Sequence, residues 1–208
     1  MLKGVSIYSG LIEYDKQSNI EYLNKIKEKN IDFIFTSLHI GEANKEEVED
    51  FIRLIKDFPI PFVIDVSGKT YDKELLPSNI IPRLDYGFTI QNIKQMILDH
   101  DMIEVNASLV NRSYLETLKK ENIDFSKIRV SYNFYPKPYT GLSIEDVKEK
   151  NELFKEYGLT VICYIPGSMK RPPVYKGLPS IESQRYQSIE ENVSEAIALG
   201  MDGVCVGH

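Results

Sequence analysis

The sequence predicts an α/β fold, a (β/α)8 TIM barrel, and three observations lead to it. Eight short apolar segments recur along the 208 residues. Amphipathic helical stretches lie between them, and strands alternating with helices favour a parallel sheet covered by helices. Each segment also closes on polar residues at alternate positions, which in a strand share one face. Eight such strands argue for closure rather than an open doubly wound sheet, and no GxGxxG follows the first of them.

In chain order, the first strand reads GVSIYS. Ser18 with Glu21 then marks a helix start, followed by the apolar stripe Ile20, Leu23 and Ile26. In such a pair the hydroxyl satisfies backbone donors that the helix leaves orphaned. FIFTSLH is the second strand. Asn44 with Glu47 opens the next helix, whose stripe is Val48, Phe51, Ile52 and Ile55. PFVIDVS and IIPRLDYG are the third and fourth strands, and Ile93, Met96 and Ile97 form the following stripe. MIEVNAS and IRVSYNFY are the fifth and sixth strands. A helix opened by Ser143 and Asp146 leads to Gly158 and the seventh strand, TVICYIPG; one opened by Ser188 and Glu191, with Val193, Ala196 and Ile197, leads to Gly200 and the eighth, GVCVG. Glycine closes a helix well because it takes the left-handed cap without strain. The expected alternation is strand, helix, strand throughout. The barrel is expected to span 1–208 as one catalytic domain ending at the eighth strand, without its last helix. That leaves a seam beside strand one, at which homo-oligomerisation, aggregation or low stability is expected.

The C-terminal strand ends of a parallel barrel hold its chemistry. Three carboxylates fall there: Asp65, Asp85 and Glu104. A pair of carboxyl groups flanking a glycosidic bond divides proton donation from nucleophilic or base work. Asp85 and Glu104 are the favoured acid and nucleophile or base, and Asp65 is the third candidate. Neighbouring strands lie about 4.8 Å apart, so Asp85 and Glu104 are expected near the roughly 5–5.5 Å separation of a retaining pair. The plainer account makes each acid a structural ion-pair partner, Asp85 with Arg83 for instance. Ser37, His39, Arg83, Asn106, Asn133, Tyr135 and Tyr164 are the substrate-binding candidates at the same mouth. NFYPKPYTGLS has the prolines of a stiff loop over it. In the long loop after strand seven, Lys170, Arg171 and Lys176 are placed to meet a phosphate, and Arg171 is favoured because a guanidinium makes paired bonds to its oxygens. Lys137 lies among prolines beyond its strand, a poor setting for a Schiff-base amine.

A net charge of -6 argues against a broad nucleic-acid surface or an anionic-membrane surface. No apolar run reaches the roughly 20 residues of a membrane span, and the first residues read as a strand, so a cytoplasmic protein is expected. Cys163 and Cys205 have no CxxC spacing and are expected to be reduced core thiols. Three histidines without HxH or HxxxH spacing make a metal site an unfavoured reading, and His100 is expected to face solvent.

Taken together, FTSLHI, VIDVS, PRLDYGF, VNAS, NFYPKPYTGLS, YIPG and RPPVYKGLPSIESQR resemble the 6-phospho-N-acetylmuramidase family across essentially the whole chain. The resemblance implies an N-terminal TIM barrel followed, in the family, by a smaller cyclophilin-like domain that this sequence lacks. It implies a glycosidase without cofactor, cleaving a phosphorylated amino-sugar disaccharide into N-acetylmuramic acid 6-phosphate and N-acetylglucosamine during peptidoglycan recycling. The competing expectations are a phosphosugar isomerase or aldolase on the same barrel, and a non-catalytic sugar-binding domain.

Overall fold

The computed structural model describes residues 1–10, 15–37, 44–69, 71, 76, 79–170 and 175–207, without the side chain of Lys45. Eight parallel strands close into a barrel in chain order. They are β1 (Leu2–Ser6), β2 (Phe33–Ser37), β3 (Phe62–Val66), β4 (Ile81–Leu84), β5 (Ile103–Asn106), β6 (Ile128–Ser131), β7 (Thr160–Pro166) and β8 (Gly203–Gly207). β8 pairs back onto β1, with Cys205 opposite Gly4, and completes the ring. The helices are α1 (Lys16–Lys27), α2 (Lys45–Ile55), α3 (Ile90–Asp99), α4 (Arg112–Lys120), α5 (Ile144–Glu156) and α6 (Ile189–Ala198).

Strand parity divides the core into layers. Tyr8, Phe33, Phe35, Val63, Ile162, Tyr164 and Cys205 pack together inside the barrel. The opposite parity, Ile34, Ile64 and Val66 among them, packs outward with Leu23 and Ile26 of α1 and with Phe51, Ile52 and Ile55 of α2. A third cluster joins the outward faces of β5 to β8 to α3, α4, α5 and α6. Gly4 is dictated by this interior: a Cβ there would lie 2.3 Å from the Phe33 ring. Removing that one carbon lets a phenylalanine fill the barrel axis at close packing.

Three helix starts lie where side-chain acceptors were expected. Asn44, Ser143 and Ser188 cap α2, α5 and α6. α1 differs, because the Asp15 carboxylate accepts from the Gln17 and Ser18 amides, so the helix begins before Ser18. Its buried face is Asn19, Leu23 and Ile26 rather than Ile20, and Asn19 donates to the Tyr8 carbonyl at 2.9 Å. Ile197 is exposed, so α6 packs through Asn192 and Ala196 instead. Between β3 and β4 the described residues form no helix, and residues 70, 72–75, 77 and 78 of that connection lie outside them. There Gly68 lies so close to Gly87 that a Cβ on it would meet the Gly87 carbonyl oxygen at 2.4 Å.

Cys163 and Cys205 are buried and unpaired, and burial pushes the Cys163 thiol up to about 12. On the outer side of the β8–β1 seam, Val5 and Val206 are half-buried and Lys3 is exposed. Among the described residues, no helix is long and apolar enough to cross a membrane.

Candidate active site

Register sets the polar mouth. Ser37 lies opposite Asp65, Asp65 opposite Arg83, Arg83 opposite Glu104 and Glu104 opposite Arg129, so one belt of polar and charged side chains crosses β2 to β6. Two residues further along their chains, Asp85 and Asn106 form the next layer outward, where Asn106 Nδ2 donates to Asp85 Oδ1 at 2.6 Å.

Arg83 is the hub of this arrangement. Its Nη1 reaches Asp65 at 2.8 Å, its Nη2 reaches Asn133 Oδ1 at 2.7 Å and its Nε reaches Ser131 Oγ at 2.7 Å. Burial alone would lower the Arg83 pKa, but Asp65, Tyr164 and Glu104 reverse that and raise it above the ordinary arginine value. A cation so fixed holds Asp65 and Asn133 in place across strands β3, β4 and the end of β6. The expected pairing of Arg83 with Asp85 is replaced by these bonds.

Glu104 does not stand at the mouth rim beside Asp85. Its register partner is Arg83, which places it one layer deeper, with the side chain 1% exposed. Its two oxygens lie 3.5 Å from Arg83 Nε and 2.6 Å from Arg129 Nε. The Arg129 guanidinium in turn sits 4.6 Å over the Phe33 ring. Against the expected pairing of Asp85 with Glu104, alternate residues of β5 give the rim position beside Asp85 to Asn106 and commit Glu104 to two arginines.

The other candidates separate clearly. Asp85 is half-buried and, among the described residues, makes no ion pair; its hydrogen-bond partner there is the neutral amide of Asn106. Asp65 is also half-buried, with Ser37 Oγ 3.5 Å from it on the side away from Arg83. Tyr135 is half-buried, and burial raises its hydroxyl pKa against the opposing effect of Arg83. Tyr164 is fully buried, its ring 5.1 Å from Phe35 and 5.3 Å from Phe134, and burial carries its pKa well above the ordinary value. It supports the floor of the site. His39 and Arg171 lie outside the described residues. His100, expected at the surface, is buried, with its Nε2 3.0 Å from the Tyr71 hydroxyl.

Sequence reasoning missed the pair that fixes the rim. Arg185 is buried and donates to both oxygens of Glu182, at 2.7 and 2.6 Å. Its Nη1 also reaches the carbonyls of Tyr135 and Gly177, both at 2.8 Å. Glu182 accepts from the amides of Tyr139 at 2.9 Å and Gly141 at 2.8 Å. This clasp ties the loop after β6 to the loop after β7, and Gly141 is needed because a Cβ would come within 2.8 Å of the Glu182 backbone. The signal in the sequence was only an i,i+3 Glu/Arg spacing, which any exposed helix also shows.

The Glu182 carboxyl is held down at about 2, chiefly by its Arg185 hydrogen bonds. A depressed carboxylate pKa contributes stability that is present above the unfolded value and is lost as pH falls through the folded one. Wild type is thus expected to exceed Glu182→Gln by about 2 kcal/mol near neutrality. Urea unfolding at a series of pH values should show that gap shrinking as pH falls from the ordinary glutamate range toward about 2. A gap constant across the window would mean that the clasp does not depend on the charge.

Among the described residues, no group of three or more His, Cys, Asp or Glu side chains is placed to hold a metal ion. The inward-facing positions of the described strands carry no lysine, and Lys137 is exposed, which leaves an aldolase amine without a place there.

A family model described as 6-phospho-N-acetylmuramidase, N-terminal, matches residues 3–208. The chain is similar to the crystal structure of a conserved protein of unknown function from a locus in Enterococcus faecalis, with 28% identity and a TM-score of 0.82, over 99% of this chain and 61% of that one. It is also similar in fold to an uncharacterized B. cereus protein, with 24% identity and a TM-score of 0.79, over 100% of this chain and 60% of that one. The chain thus spans about 60% of the length of these two structures. No curated protein matches it.

Proposed function

The chain belongs to the 6-phospho-N-acetylmuramidase family, matching its N-terminal model over nearly its whole length, and from that membership we propose that it is a cytoplasmic glycosidase of peptidoglycan recycling. The proposed substrate is a disaccharide of 6-phosphorylated N-acetylmuramic acid joined to N-acetylglucosamine. The family match is the observation that carries this reading.

The mouth chemistry supports it. Asp85, not committed to an ion pair among the described residues, is proposed to give its proton to the glycosidic oxygen as the bond to the anomeric carbon breaks. Asp65, held beside Arg83, is the proposed anion that stabilises the positive charge developing on the sugar. Water supplies the new hydroxyl at the anomeric carbon and returns a proton to the site. Asn106, Asn133 and Tyr135 orient the ring hydroxyl and acetamido groups, and Ser37 and His39 are further proposed substrate contacts. Arg171 is the proposed phosphate ligand. Glu104 is reassigned to holding Arg83 and Arg129 in place.

The decisive test is turnover of the synthetic phosphodisaccharide by the full-length protein, followed by proton NMR, against the same disaccharide without phosphate and against open-chain phosphosugars. Release of N-acetylglucosamine from the phosphorylated compound is expected. Arg171→Ala should raise KM for that compound by roughly 10- to 100-fold, the effect of losing a charge-assisted hydrogen bond worth about 1.5–3 kcal/mol. An equal loss with the unphosphorylated sugar would remove Arg171 from the phosphate site. Turnover of open-chain phosphosugars alone would replace the glycosidase reading with an isomerase or aldolase.

A further inference from the structure

Tyr139 combines two properties that rarely meet. Its φ is 65°, in the left-handed region where a bulky side chain is strained, and its side chain is 94% exposed. The other described non-glycine residues with positive φ are Asn122, just past the end of α4, and Tyr175 in the loop after β7. Asparagine at a helix end is an ordinary user of that conformation. Tyrosine is not, and a ring so exposed gains almost no packing that would offset the strain.

Something else must hold this conformation, and the clasp does. The Tyr139 amide donates to Glu182 Oε1, the Gly141 amide donates to Glu182 Oε2, and Arg185 fixes both oxygens. Arg185 also binds the carbonyls before Tyr139, including that of Lys137 at 3.2 Å. An ion pair anchored by the buried Arg185 therefore sets the backbone of a rim loop so that one aromatic ring stands out in water above the C-terminal strand ends. Strain maintained by surrounding structure, with no folding gain, points from the outlier to a use in binding.

We propose that Tyr139 is a stacking platform for the leaving sugar, the N-acetylglucosamine ring of the substrate proposed above. This rests on that reading, which seats the phosphorylated ring in the polar mouth beside Asp85 and leaves the second ring to extend over the rim. An apolar sugar face laid on the phenol ring covers an exposed aromatic surface without requiring a charged partner. A ring already positioned by the clasp loses little freedom when the sugar arrives.

The test compares two glycosides of the phosphorylated N-acetylmuramic acid in full-length protein: the disaccharide, and the methyl glycoside, which lacks the second ring. Tyr139→Ala should raise KM for the disaccharide about tenfold, equivalent to about 1.4 kcal/mol, and leave the methyl glycoside unchanged. Tyr139→Phe should retain nearly full affinity because the stacking face survives. Tyr139→Gly, which relieves the positive φ, should melt at or above the wild-type temperature while losing the same disaccharide affinity. Equal effects of Tyr139→Ala on both glycosides, or none on the disaccharide, would overturn the platform. If wild type cleaves neither glycoside, the proposed reaction fails. Calorimetric titration with N-acetylglucosamine then tests the platform alone: weaker binding by Tyr139→Ala supports it and equal binding overturns it.

Discussion

Glu104→Gln is expected to destabilise the protein by about 3–5 kcal/mol, because it leaves buried guanidinium charge without its counter-ion. The interior belt holds two cations, Arg83 and Arg129, against two anions, Asp65 and Glu104. Arg83 keeps Asp65 after the substitution, but Arg129 loses the oxygen 2.6 Å from its Nε. Among the described residues its Nη2 already has no hydrogen-bond partner, so the neutral amide of a glutamine would leave the charge largely uncompensated. For a domain of this size the melting temperature should fall by roughly 10 °C or more, as calorimetry would record. Glu104→Gln combined with Arg129→Met should recover part of the loss, since the orphaned charge goes as well. A single variant that stays as stable as wild type while losing turnover would return Glu104 to the role of nucleophile.

Asp85→Asn should behave in the opposite way. Its carboxylate takes no part in an ion pair among the described residues, and an amide oxygen can still accept from Asn106. The melting temperature should move by no more than a few degrees. Turnover of the phosphodisaccharide should fall about 10²- to 10⁴-fold, the usual contribution of a positioned proton donor or acceptor. Single-turnover measurement separates this from weaker binding. Retained activity would move the proton transfer to Asp65, and activity surviving in both Asp85→Asn and Asp65→Asn would end the carboxylate mechanism. The contrast between Glu104 and Asp85 is itself informative: two acids that look equivalent at neighbouring strand ends should fail by different routes, one through folding and one through chemistry.

The barrel was legible because its signals are local and periodic. Apolar segments such as PFVIDVS and IRVSYNFY carry their parity within five to eight residues, and parity alone sends Asp65, Arg83 and Asn133 inward. Asn44, Ser143 and Ser188 are legible for the same reason, since a cap is a bond between residues three apart. Where two local acceptors compete, as Asp15 and Ser18 do ahead of α1, the pattern does not show which one the chain uses. Between β3 and β4 no apolar stripe marks a helix, so the expected alternation rested there on the rule alone.

The chain of residues determined which side chains face the barrel axis, and with them the polar character of the mouth, because strand direction repeats every two residues. It did not determine depth. Glu104 and Asp85 both face inward, but the stagger between β4 and β5 sets Glu104 level with Arg83 and gives the layer beside Asp85 to Asn106. Stagger is a property of the closed sheet, and no segment of sequence contains it. Charge pairing followed from depth: the buried Glu104 satisfies two arginines brought in from the strands on either side, whereas Asp85, nearer to solvent, keeps a neutral partner. The clasp of Arg185 on Glu182 belongs to the same category. Its bonds reach back to Tyr135 and Lys137, residues nearly fifty positions earlier, and only the adjacency of β6 and β7 brings the two loops close enough for one guanidinium to hold both.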